Sequence, residues 1–359
     1  MIDLSTKLIL LALVSVPITW IIPKKWGLDA VSAWSLLIIT LVAPISALWL
    51  LTGSILTPLV LRLADRTENR DFIAIMWSMV LLGAFIAARL TPGFIWLGGV
   101  YFTLRLLHIV GDWWTGALSP PSIRNHLRYQ LFLPVLIAGP INRFERFERE
   151  LTRRRWELEE ILSGAERCLV GLIMAYVGGW WLVGKLGRKV ALLTTDYPLF
   201  LREWALSAID WIQLYGVFAG LTSVSLGISL MCGLRLEENF NRPWASRNLI
   251  EFWQRWHITL SSWALDYVYR PVAALSRNAI AGVVAAMLAI GLWHAFSFYY
   301  VLWGLWQALG IIITRYLLSI RANIPNWLMP LGNILGPLGV LAWLSLAKPV
   351  IQFSRAAIL

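Results

Sequence analysis

His294 ends the tetrapeptide Gly291-Leu292-Trp293-His294 at the close of an apolar run, with no acid or base within ten residues on either side. An imidazole there needs a reason, because ionisable groups are costly in hydrocarbon and face a polar cavity or one another. Two readings are open. Its ring nitrogens are satisfied by neighbouring backbone or tryptophan groups, or it is a general base whose neutral ring takes a proton from an attacking hydroxyl near ambient pH. Upstream, residues 239–271 set Asn239, Asn241, Arg242, Arg255, His257 and Ser261 among Trp253, Trp256 and further aromatic rings, between hydrophobic runs. Such groups should face a cavity or each other. In helical register Phe252, Trp253, Trp256 and Leu260 share a face, with Glu251, Arg255 and His257 turned elsewhere. The plainer alternative is a surface helix with an aromatic belt and a Glu251 to Arg255 ion pair.

The other chemistry-bearing residues are weaker candidates. His108, in an apolar run before Asp112, and His126, in a basic loop, fit satisfied core histidines better than reacting groups. Cys168 and Cys232 lie in apolar runs without CxxC or Cys/His spacing and read as small buried hydrophobes. No HExxH, Cys/His cluster or acid-rich motif calls for a metal. The absence of a G-x-S-x-G elbow or a glycine-rich phosphate loop disfavours a serine hydrolase or a nucleotide-consuming transporter.

These groups must be positioned by membrane-spanning helices. The chain is 58% hydrophobic and 14% charged, whereas soluble domains carry roughly a quarter charged residues. A bilayer core needs ~20 mostly apolar residues per helix. Runs of that kind fall near 5–22, 31–52, 72–90, 94–112, 165–184, 204–233, 278–294, 297–318 and 327–346, the 204–233 run being long enough to tilt, break or form two segments. The net charge of +11 comes from Lys and Arg set mostly in loops, which points to topology and not to nucleic acid. The 22 Trp suit headgroup boundaries and polar cavity walls. The first 25 residues carry Asp3, lack a small-residue cleavage pattern and stop at Lys24 and Lys25, as a first span does and a signal peptide does not. Residues 113–164 are polar and basic, interrupted by the apolar Leu131 to Ala138, too short to cross as a helix and better suited to a re-entrant segment. Residues 142–163 place Phe144, Phe147, Leu151 and Trp156 at roughly helical spacing, as in an amphipathic helix on the membrane surface or an ordinary solvated one. The expectation is one all-α polytopic membrane domain over 1–359, with N-terminal spans to about 112, a core over 113–318 and a C-terminal span.

The ordered motifs ENFNRP (238–243), EFWQRWHITLSSW (251–263), DYVYRP (266–271), GLWH (291–294) and VLWG (301–304) resemble the membrane-bound O-acyltransferases, in particular the bacterial branch of alginate O-acetyltransferases and teichoic acid D-alanyl transferases. LIAGPI (136–141) with Arg143 adds to the likeness, which runs from about Gly98 almost to the C-terminus. The resemblance implies a ring of tilted helices around a tunnel and transfer of an acyl group from a thioester, acetyl-CoA or an acyl carrier protein, to a hydroxyl. It makes His294 the base or acyl carrier and His257 the second polar position that orients the donor or stabilises charge. Asn239, Asn241, Arg242, Trp253, Arg255, Trp256, Trp293 and Ser261 become substrate-binding candidates. It implies no tightly bound cofactor, no metal and no nucleic acid, with membrane lipid, the acyl donor and an extracytoplasmic polysaccharide or partner transferase as partners, in a bacterial inner membrane. A lipid or protein acceptor, or a non-catalytic scaffold or conduit, are the alternatives. The chain departs from the family pattern at Val217 and Ser223, where acids are usual, and at Ala295 and Phe296, where small residues follow the histidine. Its C-terminus stops early for this branch, which implies fewer final spans.

Overall fold

The computed structural model describes residues 4–91, 99–136, 138–320 and 329–356. The first part of the expected 94–112 span, Ile137 and the start of the 327–346 span lie outside the described residues. Those that are described form an all-α, multi-pass membrane protein. Six helices are long and apolar enough to cross a membrane, and three shorter apolar helices accompany them. The chain divides into two compact units, residues Met1–Gly171 with Leu221–Glu237, and Leu172–Gly220 with Glu238–Leu359.

In the first unit the helices are α1 (Leu4–Leu13), α2 (Ser15–Ile21), α3 (Gly27–Val42), α4 (Pro44–Ala64), α5 (Arg70–Leu90), α6 (Gly99–Trp114), α7 (Ile123–Gln130), α8 (Leu133–Leu136) and α9 (Phe144–Arg153). The single run expected over 31–52 is two helices, because Pro44 has no N–H to give and drives Ala43 to φ −149°, ψ 74°, out of the helical region. A second proline, Pro58, stays inside α4 and leaves the Ser54 carbonyl without its usual helical donor. His126 Nδ1 takes that place, 2.6 Å from Ser54 O, while Gln130 Nε2 donates to its other nitrogen at 3.1 Å. His108 is likewise spent on backbone, its Nε2 accepting from the Phe144 N–H that opens α9 at 3.0 Å.

The apolar stretch around α8 does not span. It is buried in protein, and the buried Arg105 guanidinium lies over the Tyr129 ring and donates to the carbonyls of Tyr129 and Pro140 on either side of it. The amphipathic helix expected over 142–163 ends instead at Arg153. Arg154 turns extended so that its side chain can lie over Trp20 and donate to Lys24 O, which leaves Trp156 outside α9 and edge-on to Trp20.

Two long helices run from one unit into the other: α10 (Leu158–Leu193), π-wound over Ile173–Val183, and α11 (Leu199–Met231). The 204–233 run is thus one unbroken helix. Glycines bring α10 and α11 into contact at two levels, Gly164 with Gly227 in the first unit and Gly179 with Gly216 in the second. In the second unit a polar stretch follows, with the short helices α12 (Leu249–Arg255), α13 (Ile258–Ala264) and α14 (Arg270–Ser276). Then come α15 (Ala279–His294), α16 (Phe298–Ile320) and α17 (Met329–Ala356). Helices α15 and α16 form a close hairpin, since any side chain at Gly291 would meet Tyr300 O and at Gly304 would meet Met287 O. Trp306 and Trp343 stack at 4.4 Å to join α16 to α17.

The glycine crossings give a direct test. A Cβ at Gly227 would sit 2.5 Å from Gly164 O and 2.6 Å from Cys168 Sγ, whereas one at Gly83 on α5 meets nothing within 4 Å. Gly227→Ala is expected to cost about 1–3 kcal/mol through overpacking and Gly83→Ala nothing, as read by thermal unfolding of the purified protein in detergent.

Candidate active site

The stretch between α11 and α15 is held by a short backbone zip. Phe240 pairs antiparallel with Trp256, Asn241 N donates to Arg255 O at 2.9 Å, and Ile258 N donates to Asn239 O at 2.8 Å. Asn239, fully buried, also accepts the Thr259 hydroxyl on Oδ1 at 2.5 Å. Arg242 then takes the left-handed conformation, φ 47°, and a single 3-10 turn leads to Asn248. The Asn248 side chain accepts from the Glu251 N–H and so caps α12, while Glu251 reaches back to Arg247. Arg247 holds the Glu251 carboxyl below the usual carboxylate range. The pair anticipated between Glu251 and Arg255 is therefore replaced by one with Arg247.

The zip explains a feature that side-chain periodicity does not signal. Residues 249–260 contain no Gly or Pro, yet α12 ends at Arg255, Trp256 is extended and His257 is left-handed at φ 42°, ψ 54° before α13 begins. A continuous helix would withdraw the backbone of 255–258 from Asn239 and Asn241. A non-glycine residue in this region is uncommon, and such strain clusters at functional sites. Of the face expected for Phe252, Trp253, Trp256 and Leu260, the burial of all four holds and the single helix does not.

His257 is thus a corner residue between two seven-residue helices, 3% exposed. Its ring lies 4.9 Å from Phe218 on α11 and edge-on to Trp293 at 5.8 Å. The same Trp293 ring meets His294 at 4.8 Å and 68°, so one indole touches both imidazoles. His294, at the last position of α15, is exposed. It stacks on Tyr300 at 5.4 Å and 21°, with Trp303 edge-on at 5.5 Å. Trp303 in turn meets Trp253 at 6.0 Å. Burial, and secondarily the neighbouring His294, pull the His257 pKa down to about 3, so its imidazole is neutral at physiological pH.

Of the residues singled out in the sequence, His257, His294, Trp293, Trp253, Trp256 and Asn239 share this network of rings and backbone bonds. Ser261 donates to Trp256 O, and Arg255 is half-buried with its carbonyl in the zip. Asn241 and Arg242 are exposed and hold the turn by backbone. The buried donors Asn239 Nδ2 and Trp253 Nε1 have no acceptor among the described residues. Sequence reasoning missed Phe218, Tyr300 and Thr259. Only Tyr300 carried a signal, standing a turn beyond His294 in the same aromatic run. Val217 packs at the Gly179 crossing, where a Cβ on Gly179 would meet its backbone N and side chain. A separate hollow of about 420 Å³ lies between α16 and α17, and neither histidine lines it.

Fold and site together define a multi-pass helical membrane protein with a histidine pair bridged by one tryptophan. The chain belongs to the MBOAT, membrane-bound O-acyltransferase, family, whose model matches residues 100–347. It is similar to the protein of Pseudomonas putida named "Probable alginate O-acetylase AlgI", with 30% identity over 250 residues, 68% of this chain and 50% of the relative. It is also similar to the teichoic acid D-alanyltransferases of Streptococcus thermophilus, 29% identical over 60% of this chain and 56% of the relative, and of Bacillus subtilis, 27% identical over 61% and 58%. The chain spans about half the length of the relatives it matches.

The buried neutral His257 makes stability pH-dependent with a definite sign. Below about pH 6.5 the unfolded chain binds a proton that the folded site refuses down to about 3. Stability is therefore full above pH 6.5 and falls on acidification by about 1.4 kcal/mol per unit. His126, pulled down to about 4 by burial, adds the same sign. Denaturation between pH 7 and 5 should show a slope that His257→Asn reduces but does not abolish, since Asn also tolerates the left-handed corner.

Proposed function

We propose that this chain is a membrane O-acyltransferase that moves an acyl group, acetyl in the first instance, from a cytoplasmic thioester to a hydroxyl on an extracytoplasmic polysaccharide or on a partner transferase in a bacterial inner membrane. The observation that carries this reading is the exposed His294 coupled through Trp293 to the buried, neutral His257, within the family-matched stretch. The names of the Pseudomonas and Streptococcus relatives support an envelope polymer as acceptor.

In this reaction His294 takes the proton of the acceptor hydroxyl as its oxygen attacks the thioester carbonyl. The negative charge that develops on the carbonyl oxygen needs donors in a place with little water. Asn239 Nδ2 and Trp253 Nε1 are buried N–H groups with no acceptor among the described residues, and leaving such groups unsatisfied costs about 1–3 kcal/mol each. They suit that demand. Collapse of the intermediate breaks the C–S bond, the imidazolium returns its proton to the departing sulfur, and an ester and a free thiol result. His257, buried and in contact with the same indole, acts on His294 and not on the substrate, holding the pair in place as charge develops. The donor is acetyl-CoA or an acyl carrier protein.

The experiment is transfer from labelled acetyl-CoA and from a labelled carrier-protein thioester by the purified full chain, with a polysaccharide or partner present. Wild type should form product, and His294→Ala should lose about 10²–10⁴-fold, the usual contribution of a general base, while keeping its unfolding temperature. Absence of transfer or covalent labelling in wild type with both donors would leave a non-catalytic membrane scaffold as the better account, as the replacement of the usual acids by Val217 and Ser223 already favours in part.

A further inference from the structure

A cationic and aromatic patch in the first unit has no part in the proposed reaction. The turn between α2 and α3 carries Lys24, Lys25 and Trp26, all exposed. Lys25 and Arg124 lie over the Trp26 ring at 5.3 and 4.5 Å. The one acid within reach, Asp29, is committed to Arg124 and Arg128 at 2.6 and 2.7 Å, and both guanidiniums also donate to Lys25 O. Beneath the turn Arg154, 3% exposed, donates to Lys24 O through one nitrogen, while its Nη1 has no acceptor among the described residues. Five cations thus face one carboxylate, and neither lysine has an acidic partner among the described residues.

Two observations place this patch at a headgroup layer. Ile21, on the last turn before the lysines, is 82% exposed, as a residue against lipid chains would be, and Trp26 and Trp156 are 53% and 57% exposed around the cations. Indoles favour that boundary. The same end of the unit gathers the basic loops. Arg62 donates to Pro121 O beside α7, and Trp113 and Trp114 at the end of α6 bond Asp65 and Asp71 around the α4 to α5 turn. At the other end of α3 and α4, their connection at residue 43 carries no Lys or Arg. Short loops rich in Lys and Arg stay cytoplasmic, where the leaflet surface is anionic and attracts them.

We propose that the Lys24-Lys25-Trp26 turn, backed by Arg124, Arg128 and Arg154, binds the phosphate-bearing headgroup of an anionic phospholipid of the cytoplasmic leaflet. The two free ammonium groups meet the phosphate, Trp26 packs against the glycerol region, and the acyl chains run along the exposed face beyond Ile21. Lys24, Lys25, Trp26 and Asp29 precede the family-matched stretch, while Arg124, Arg128 and Arg154 lie within it.

The test is retention of lipid by the purified full-length protein, measured by native mass spectrometry with phosphatidylglycerol and phosphatidylcholine of equal chain length. Wild type should hold phosphatidylglycerol in preference. Each cation near an anionic surface contributes about fivefold, so Lys24→Ala/Lys25→Ala should weaken that retention roughly twenty-five-fold and Lys24→Arg/Lys25→Arg should keep it. Equal retention of the two lipids by wild type overturns the proposal whatever the variants do, as does an alanine double variant that retains phosphatidylglycerol unchanged. Displacement of the lipid from wild type by coenzyme A at matched concentration would assign the patch to the donor instead, and also overturns it. None of these outcomes depends on acyl transfer.

Discussion

The constraint on which this structure rests is that a backbone polar group released from a helix inside a membrane must find another partner within the protein. Several irregular points of the chain are answered by groups placed for them. Pro58 frees the Ser54 carbonyl, and His126 takes it. The break around α8 frees carbonyls at Tyr129 and Pro140, and the buried Arg105 bonds both. The corner at His257 is the largest such break, and there backbone answers backbone through the strip of Asn239 to Asn241. The polar residues that mark the sequence as unusual are therefore of two kinds, those that repair a backbone break and those that the repaired backbone presents.

That division sorts the four histidines. His108 and His126 use ring nitrogens on main-chain groups or on Gln130, and each fixes the start or the interior of a helix. His257 and His294 are surrounded chiefly by the faces and edges of Phe218, Trp293, Tyr300 and Trp303. Aromatic faces and edges fix the plane of each imidazole, and around the buried His257 they also keep the surroundings poor in water, where fixed N–H donors act most strongly. Placing the rings on α11, α15 and α16 ties the orientation of both histidines to rigid helices. The glycine contacts that bring α15 against α16 set the distance at which Tyr300 can stack on His294.

Much of this was legible in the sequence, and the failures have physical causes. The apolar runs gave the membrane class and most helices, because lipid imposes length and hydropathy directly. Hydropathy alone does not separate 31–42 from 44–52, because the break comes from Pro44 acting on Ala43, and periodicity does not end the helix at Arg153, because Arg154 is drawn off by Trp20. At the site, the identities of His257, His294, Trp253, Trp256 and Trp293 stood out as polar or amphipathic groups among hydrophobes. The break at Trp256 did not, since no local residue type demands it. It is a tertiary effect of the zip with residues 239–241, sixteen or so positions upstream, and single-chain periodicity carries no trace of such a pairing. Phe218 was invisible for the opposite reason, being one more ring in a helix already full of apolar residues.

The unequal exposure of the two histidines bears on how their labour is divided. In the proposed reaction an imidazole at the exposed end of α15 can meet a hydroxyl that arrives from outside the protein and can exchange its proton afterwards. One that is 3% exposed can do neither. The buried ring is better placed to act on its partner than on a substrate, and the strained left-handed corner that holds it makes sense as the cost of keeping it there. In the proposed reaction two equally buried rings would need a further relay to return the proton, and two exposed ones would let water compete for the acyl group. The edge-on Trp293 permits the asymmetry, since a single indole reaches from the dry side of the site to the wet one. The site therefore depends less on which residue is conventionally reactive than on the helix break that buries one histidine and the helix end that exposes the other.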